Sequence, residues 1–163
     1  MKSCCRRKSS TSSTRTANHV NLIVIDKQPQ LQWLDIDQAI AHCARRASVW
    51  PWASTDHGGE PNVVLAAAGD IPTLEVVAAA WWLRQHAPEL RVRVVNVVDL
   101  TTLFPPEVHP HGMDQAAFVD MFTRSVDVVF AFHGYFDSRP RQREAFEASR
   151  GDGSLYRSVV SPR

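Results

Sequence analysis

Apolar runs typical of buried strands alternate with helical patterns along the middle of the chain. The runs are rich in β-branched residues and show little alternation with polar ones, as in strands that are covered on both faces. Helical segments separate the later runs, which predicts right-handed βαβ crossovers and a mainly parallel sheet. We therefore expect an α/β domain of three layers, with helices on both faces of the sheet. The predicted strands are 19–25, 62–68, 91–98 and 127–132.

Apolar residues at spacings of three and four predict a first helix after Asp35, a favourable N-cap, and a third helix from Asp114 to about Thr123. The first stripe consists of Ile36, Ala39, Ile40, Cys43 and Ala47, and the third helix presents Phe118, Met121 and Phe122 to the core.

The second predicted helix follows the turn at Gly69 and Asp70, has Pro72 in its first turn and stops before Pro88. Its stripe, which we expect to face the sheet, consists of Leu74, Val77, Ala78, Trp81 and Gln85. Trp82 lies about 100° around the helix from Trp81. At least one of the two rings is then uncovered, so the five tryptophans fit either ordinary core filling or a surface for a missing partner.

Residues 48–61 form a predicted loop that is rich in Trp, Pro and Gly and longer than ordinary connections. Loops of this length are often functional or lie at interfaces. We expect no regular structure in this segment.

Size and composition indicate one globular domain with a core, because the chain has 163 residues, of which 44% are apolar. No apolar run reaches the roughly 20 residues of a membrane helix, and the N-terminus lacks a secretory signal. Cys4, Cys5 and Cys43 show no disulfide or zinc-ligand spacing. A protein of a reducing compartment, without a membrane partner, is the expectation.

Charge is distributed unevenly. Residues 1–16 carry five basic side chains and no acid, 136–163 carry six arginines against four acids, and 17–135 carry seven basic residues against thirteen acids. We expect 1–17 to be a disordered basic tail, either inert, a targeting segment or a nucleic-acid contact. The acidic middle would repel phosphates, which disfavours a nucleic-acid partner. We also expect the Arg-rich segment 136–163 to be poorly ordered and outside the packed core.

Candidate chemistry collects where the predicted parallel strands end, since ligands of such sheets bind beyond their carboxyl ends. The polar and turn residues expected at this edge are Asp26, Lys27, Gly69, Asp70, Asp99 and His133. His133 follows the last strand and is a candidate crevice residue, because an imidazole titrates near neutral pH. Gly69 and Asp70 fit either an anion site at a helix N-terminus or a simple helix cap. His109 and His111 fit either the start of a metal site or a structural loop. We treat the Gly-Asp-Gly run at 151–153 as chance.

Several long runs of the middle segment resemble the C-terminal domain of phosphoketolases. They are NHVNLIVIDKQPQLQWL (18–34), VWPWAST (49–55), the continuous run 60–103, HPHG (109–112) and VVFAFHGY (128–135). The resemblance implies a domain over 18–135 with the fold of transketolase C-terminal domains.

The resemblance further implies a thiamine-diphosphate enzyme that cleaves xylulose 5-phosphate or fructose 6-phosphate with inorganic phosphate, to acetyl phosphate and an aldose phosphate. In the family, the first two domains bind thiamine diphosphate and Mg²⁺, and neither domain is in this sequence. The resemblance places Lys27 near the substrate phosphate, although Asp26 stands where the family usually has Gly. No other catalytic, cofactor or metal-binding residue is carried over.

We therefore expect a truncated, cytoplasmic phosphoketolase fragment that binds no cofactor and is inactive alone. Its partners would be family subunits or the missing thiamine-binding domains. The segment after Tyr135 departs from the family as a shifted reading frame would. The alternative is a non-catalytic module that docks on full-length subunits or on another protein.

Overall fold

A five-stranded sheet organises the computed structural model, which describes residues 29–132 and 156–159. The strand order is β1-β3-β2-β4-β5. Only β1 is antiparallel to its neighbour, β3, and the other three pairings are parallel. The predicted mainly parallel α/β sheet is confirmed. The strands are β1 (Ala47–Val49), β2 (Val63–Ala68), β3 (Val92–Val97), β4 (Asp127–Phe132) and β5 (Tyr156–Val159).

The described residues form three α-helices and one short 3-10 helix, Leu100–Leu103. The α-helices are α1 (Ile36–Arg45), α2 (Asp70–His86) and α3 (Gln115–Phe122). The chain divides into two compact units between Arg45 and Arg46, so that α1 belongs to the first unit and the sheet to the second.

In the first unit, α1 begins as predicted. The Asp35 carboxylate accepts a hydrogen bond from the Gln38 amide at 2.8 Å, and the Gln38 side chain accepts one from the Asp35 amide at 3.1 Å. This reciprocal pair is a capping box. The predicted stripe is only partly right, because Ile36 is 52% exposed and the helix ends before Ala47, which lies in β1.

The cysteine expectation is wrong at Cys43 of α1, which is disulfide-bonded. Sequence spacing did not reveal this bond, because a disulfide depends on the distance between cysteines in space. The other two cysteines, Cys4 and Cys5, lie outside the described residues.

The predicted loop 48–61 begins with two residues of β1, a strand of three residues that is too short to show a period. Beyond it, the chain still follows the edge of β3. The Trp50 amide donates to the Val94 carbonyl and the Thr55 amide to the Val92 carbonyl, both at 2.8 Å. This segment therefore covers the sheet edge.

Phenylalanine side chains of α3 fill the core on one face of the sheet. Phe118 and Phe122 are fully buried, as predicted, among the side chains that β2, β3 and β4 direct to this face. The buried cluster also contains Leu103 of the 3-10 helix.

Helix α2 covers the opposite face and contacts β2, β3 and β4. The Asn96 side chain of β3 donates to the Thr73 hydroxyl of α2 at 2.8 Å. Val95 belongs to the core cluster around Phe118 and Phe122 of α3. Because successive side chains of a strand point to opposite faces, Asn96 lies on the other face of the sheet. Helices α2 and α3 therefore cover opposite faces, as predicted.

The predicted inner stripe of α2 is wrong. The buried residues are Pro72, Thr73, Val76 and Ala80, whereas Trp81 is 61% and Trp82 53% exposed. Apolar residues lie on most sides of this helix, so the spacing of apolar residues does not by itself show which side packs on the sheet. Small and branched side chains let the helix approach the sheet closely, and the indole rings lie on the other side.

The expectation that 136–163 lies outside the packed core is wrong for 156–159. These four residues form β5, which pairs with β4 and extends the sheet. The predicted strand 19–25 and the rest of 136–163 lie outside the described residues, so the proposed domain boundaries stay predictions. No helix in the described part of the chain is long and apolar enough to cross a bilayer.

Candidate functional site

The carboxyl ends of β2 and β3 lie side by side at one edge of the sheet. These strands are parallel neighbours that end at Ala68 and Val97. The chain leaves β2 for α2 on one face, and leaves β3 for α3 on the other. Two adjacent connections on opposite faces leave a crevice between them, and this is where open α/β sheets bind ligands. The candidate site is this edge.

Gly69 makes the turn from β2 into α2. Its φ of 99° and ψ of 170° lie in a region that is accessible essentially to glycine alone. The cap alternative was partly right, because Gly69 forms the turn, but the N-cap is Gly69 and no side chain caps it. Asp70 instead occupies the first turn of α2. There its negative charge interacts favourably with the positive end of the helix dipole and would repel a bound anion.

Asp99 connects the segments at the end of β3. One carboxylate oxygen, Oδ1, accepts hydrogen bonds from the Thr101 amide at 3.0 Å and from the Thr101 hydroxyl at 2.6 Å. The other oxygen, Oδ2, lies 3.9 Å from Arg46 Nε and 3.4 Å from His111 Nδ1. The structure thus places the predicted edge residue Asp99 beside a cation and an imidazole.

Arg46 reaches this edge because β1 runs antiparallel to β3, so that Ala47 pairs with Val97. Its carbonyl accepts hydrogen bonds from the amides of Val98 at 2.7 Å and Asp99 at 3.2 Å. Its φ of 65° is unusual for a residue with a side chain, which indicates that these bonds hold the backbone there. The Arg46 side chain is 42% exposed at the rim.

The two loop histidines interact with each other. The His111 amide donates to His109 Nδ1 at 3.1 Å, and the rings contact edge to face at 5.2 Å between centroids. His109 Nδ1 is therefore an acceptor, and in the neutral ring the proton lies on Nε2. Within 29–132 and 156–159, no three His, Cys, Asp or Glu side chains form a group that could hold a metal ion. This geometry favours the structural alternative for the loop.

Of the predicted site residues, the structure brings together Asp99 and His111 and places Gly69 and Asp70 at the neighbouring strand end. Lys27 and His133, together with Asp26 and the run 151–153, lie outside the described residues. Sequence reasoning missed Arg46, because its position depends on β1, which shows no sequence period.

The fold and this edge define an α/β domain whose polar residues gather at the carboxyl ends of the strands of a mainly parallel sheet. The chain belongs to the XFP C-terminal domain family, whose model matches residues 27–140.

Curated relatives match the same region. The chain is 56% identical over 121 residues to a probable phosphoketolase 2 of Nostoc sp. and to a probable phosphoketolase of Rhodopseudomonas palustris. It is 55% identical over the same length to a probable phosphoketolase of Streptomyces avermitilis. In each case the match covers 74% of this chain and 15% of the relative. The chain thus corresponds to a small part of each relative's length.

Proposed function

We propose that this chain is the C-terminal domain portion of a phosphoketolase. The observation that carries the proposal is the 56% identity over 121 residues to proteins named as probable phosphoketolases. The family match over 27–140 supports the same assignment.

In this proposal, the whole enzyme cleaves xylulose 5-phosphate or fructose 6-phosphate with inorganic phosphate, and yields acetyl phosphate and an aldose phosphate. Thiamine diphosphate with Mg²⁺ supplies the carbanion chemistry there. The described residues of this chain do not fit that group, because they offer no cluster of metal-ligating side chains and place Asp70 at the N-terminus of α2. We therefore derive no catalytic step through it and propose that the chain is inactive alone.

Within the complete enzyme, we assign Lys27 to the substrate phosphate and His133 to the crevice wall. A lysine ammonium is a compact cation suited to a phosphate. Lys27 follows a predicted strand, and His133 follows Phe132, the last residue of β4. The Lys27 assignment relies on the resemblance to phosphoketolases, and the His133 assignment relies on the rule that parallel strands direct such residues to one edge.

Acetyl phosphate formation tests the proposal. The purified chain should form none from fructose 6-phosphate, inorganic phosphate, thiamine diphosphate and Mg²⁺. Co-expression with the Nostoc sp. relative, deleted for the region that matches 27–140, should restore product. In that complex, Lys27→Met should lower kcat/KM at least tenfold, because it removes the phosphate contact, whereas Lys8→Met in the basic tail should not.

Product from the chain alone would contradict the proposed inactivity. A well-formed complex that yields no product would contradict the phosphoketolase assignment. An unchanged kcat/KM in Lys27→Met would remove Lys27 from the site.

A second candidate function, a non-catalytic module that docks on phosphoketolase subunits, is favoured by the exposed rings of Trp81 and Trp82. A complex that forms with intact subunits and leaves their turnover unchanged would support it over the first proposal.

We also propose a cytoplasmic location, as expected for an enzyme of sugar phosphates. The disulfide at Cys43 is the observation against it, because disulfides are rare in reducing compartments. Intact-mass analysis of the chain alkylated at cell lysis counts the free thiols. Three alkylated cysteines are the result expected for a cytoplasmic location, and a Cys43 that escapes alkylation would contradict it.

A further inference from the structure

Helix α2 is apolar on two opposite sides. One side packs on the sheet through residues such as Val76 and Ala80. The other side, which we call the outer α2 face, carries three large exposed side chains: Trp81 at 61%, Trp82 at 53% and Ile71 at 41%. A helix that is apolar all round is typical of a helix that is buried all round. The face consists of Ile71, Leu74, Ala78, Trp81 and Trp82.

The outer α2 face is partly ordered in advance. The Trp82 ring stacks on His86 with centroids 4.1 Å apart and planes 12° apart. His86 Nδ1 lies 2.9 Å from the Trp82 carbonyl one turn back along the helix. Because these contacts already restrict the rotamer of Trp82, a partner loses less side-chain entropy when it covers the ring.

The area of this face is too small for a stable dimer of this chain. A tryptophan side chain offers about 250 Å², so the exposed fractions leave roughly 150 Å² at Trp81 and 130 Å² at Trp82. A stable complex buries about 800 Å² on each partner. Contacts between domains of one protein bury about 300–750 Å² on each side. Together the two rings expose about 280 Å², which lies near the lower end of the interdomain range and far below the area that a stable complex buries.

The charge of the face fits an apolar partner. None of its five residues is charged, and Glu75, one turn after Ile71, borders it as an exposed acid. A polyanion would find no cation on this face. The core of an interdomain contact is likewise depleted in charge.

We propose that the outer α2 face packs against the part of a phosphoketolase polypeptide that this chain does not span. The relatives indicate what covers this face. The match to this chain covers only 15% of each relative's length, so most of each relative lies outside the matched domain and is available to contact it. This inference rests on the proposed function and adds to it the surface that contacts the rest of the enzyme.

The test measures binding between the complete 163-residue chain and the Nostoc sp. relative deleted for the region that matches 27–140. The pair is co-expressed, and the complex is isolated by size-exclusion chromatography. Trp81→Ser with Trp82→Ser should weaken binding at least tenfold. Trp52→Ser is the matched control, because Trp52 is 46% exposed but belongs to the segment between β1 and β2 and not to α2. The intact relative, whose own domain occupies the surface, should bind at least tenfold more weakly.

Photocrosslinking provides a second measurement. It detects contact between position 82 and the relative directly, and does not depend on a loss of affinity. Benzoylphenylalanine at position 82 should crosslink to the relative, whereas the same residue at position 52 should not. Circular dichroism of each variant chain checks that it keeps the wild-type fold.

Three results would overturn the inference: equal binding by the Trp81 and Trp82 variant, no crosslink from position 82, or a dimer of the chain that the same variant disrupts. These outcomes are separate from failure of the proposed function. Binding through the outer α2 face without formation of acetyl phosphate would contradict only the phosphoketolase assignment. Restored activity that Trp81→Ser and Trp82→Ser leave unchanged would contradict only the proposed contact through the outer α2 face.

Discussion

At the scale of single residues, Arg93 and Asp56 form a buried ion pair beneath the segment that precedes β2. Arg93 Nε lies 2.7 Å from Asp56 Oδ2, and the two side chains are 10% and 4% exposed. The guanidinium also donates to the Asp120 carbonyl at 2.6 Å and to the Gly59 carbonyl at 2.7 Å. One arginine of β3 therefore fastens both the 50–62 segment and the end of α3 to the sheet.

We expect Asp56→Ala to lower the free energy of unfolding by about 3–5 kcal/mol, because it leaves the Arg93 guanidinium buried without its counter-ion. Urea denaturation followed by circular dichroism measures the change. The control is Glu60→Ala, which removes an exposed acid that accepts a hydrogen bond from the Ser125 hydroxyl. It should change stability by no more than about 0.5 kcal/mol. An Asp56→Ala midpoint equal to that of the wild type would contradict this account.

At the scale of elements, α3 is short and depends on its cap and its two phenylalanines. Asp114 is the N-cap, and its carboxylate accepts a hydrogen bond from the Ala117 amide at 2.7 Å. Phe118 and Phe122 lie one turn apart, with ring centroids separated by 4.7 Å. An isolated helix of eight residues is unstable in water, so the cap and the core contacts maintain it.

Asp114→Ala should therefore destabilise the domain by about 1 kcal/mol, the usual cost of losing an N-cap side chain. Thermal unfolding measures the shift. Asp120→Ala is the matched control on the same helix, since Asp120 is exposed and contributes its carbonyl, not its side chain, to Arg93. If both variants lose equal stability, the side chain of Asp114 does not act as a cap.

At the scale of the whole molecule, β5 determines where the sheet ends. It pairs in parallel with β4 from Val128 to Ala131 and satisfies hydrogen-bonding groups of that strand. Without β5, β4 would become an edge strand with apolar neighbours, and unpaired edges of this kind promote association between chains.

Truncation after Leu155 should therefore convert the protein into a species that self-associates at micromolar concentration. Removal of Ser161 to Arg163, which leaves β5 intact, is the control and should keep the association state of the full chain. Light scattering coupled to size-exclusion chromatography measures the mass of both. A truncated chain with the same mass as this control would show that β5 does not protect the edge.

Continuous apolar runs made β2 and β4 predictable, since strands that are buried on both faces consist almost entirely of such residues. The strand β4 has the predicted bounds, and β2 differs from them by one residue. The Asp35 and Asp114 caps were also predicted, because capping is a local interaction between a side chain and the next turn. Asp99 was predicted at the site for a similar reason, since it follows a recognisable strand.

Arg46 and the outer α2 face were not predictable in the same way. The position of Arg46 depends on a three-residue strand that pairs with residues about fifty positions later in the chain. On α2, both sides have an apolar pattern, so the sequence alone does not distinguish the buried side from the exposed one.

The sequence by itself determined the alternation of strands and helices from β2 to β4, the mainly parallel class of the sheet and the family, because these follow from local patterns and from identity. The tertiary structure decided which face of α2 is buried, that a C-terminal segment joins the sheet, and that Arg46, Asp99 and His111 meet. The physical reason is that these features depend on packing and pairing between residues far apart in the chain, for which the local pattern holds no signal.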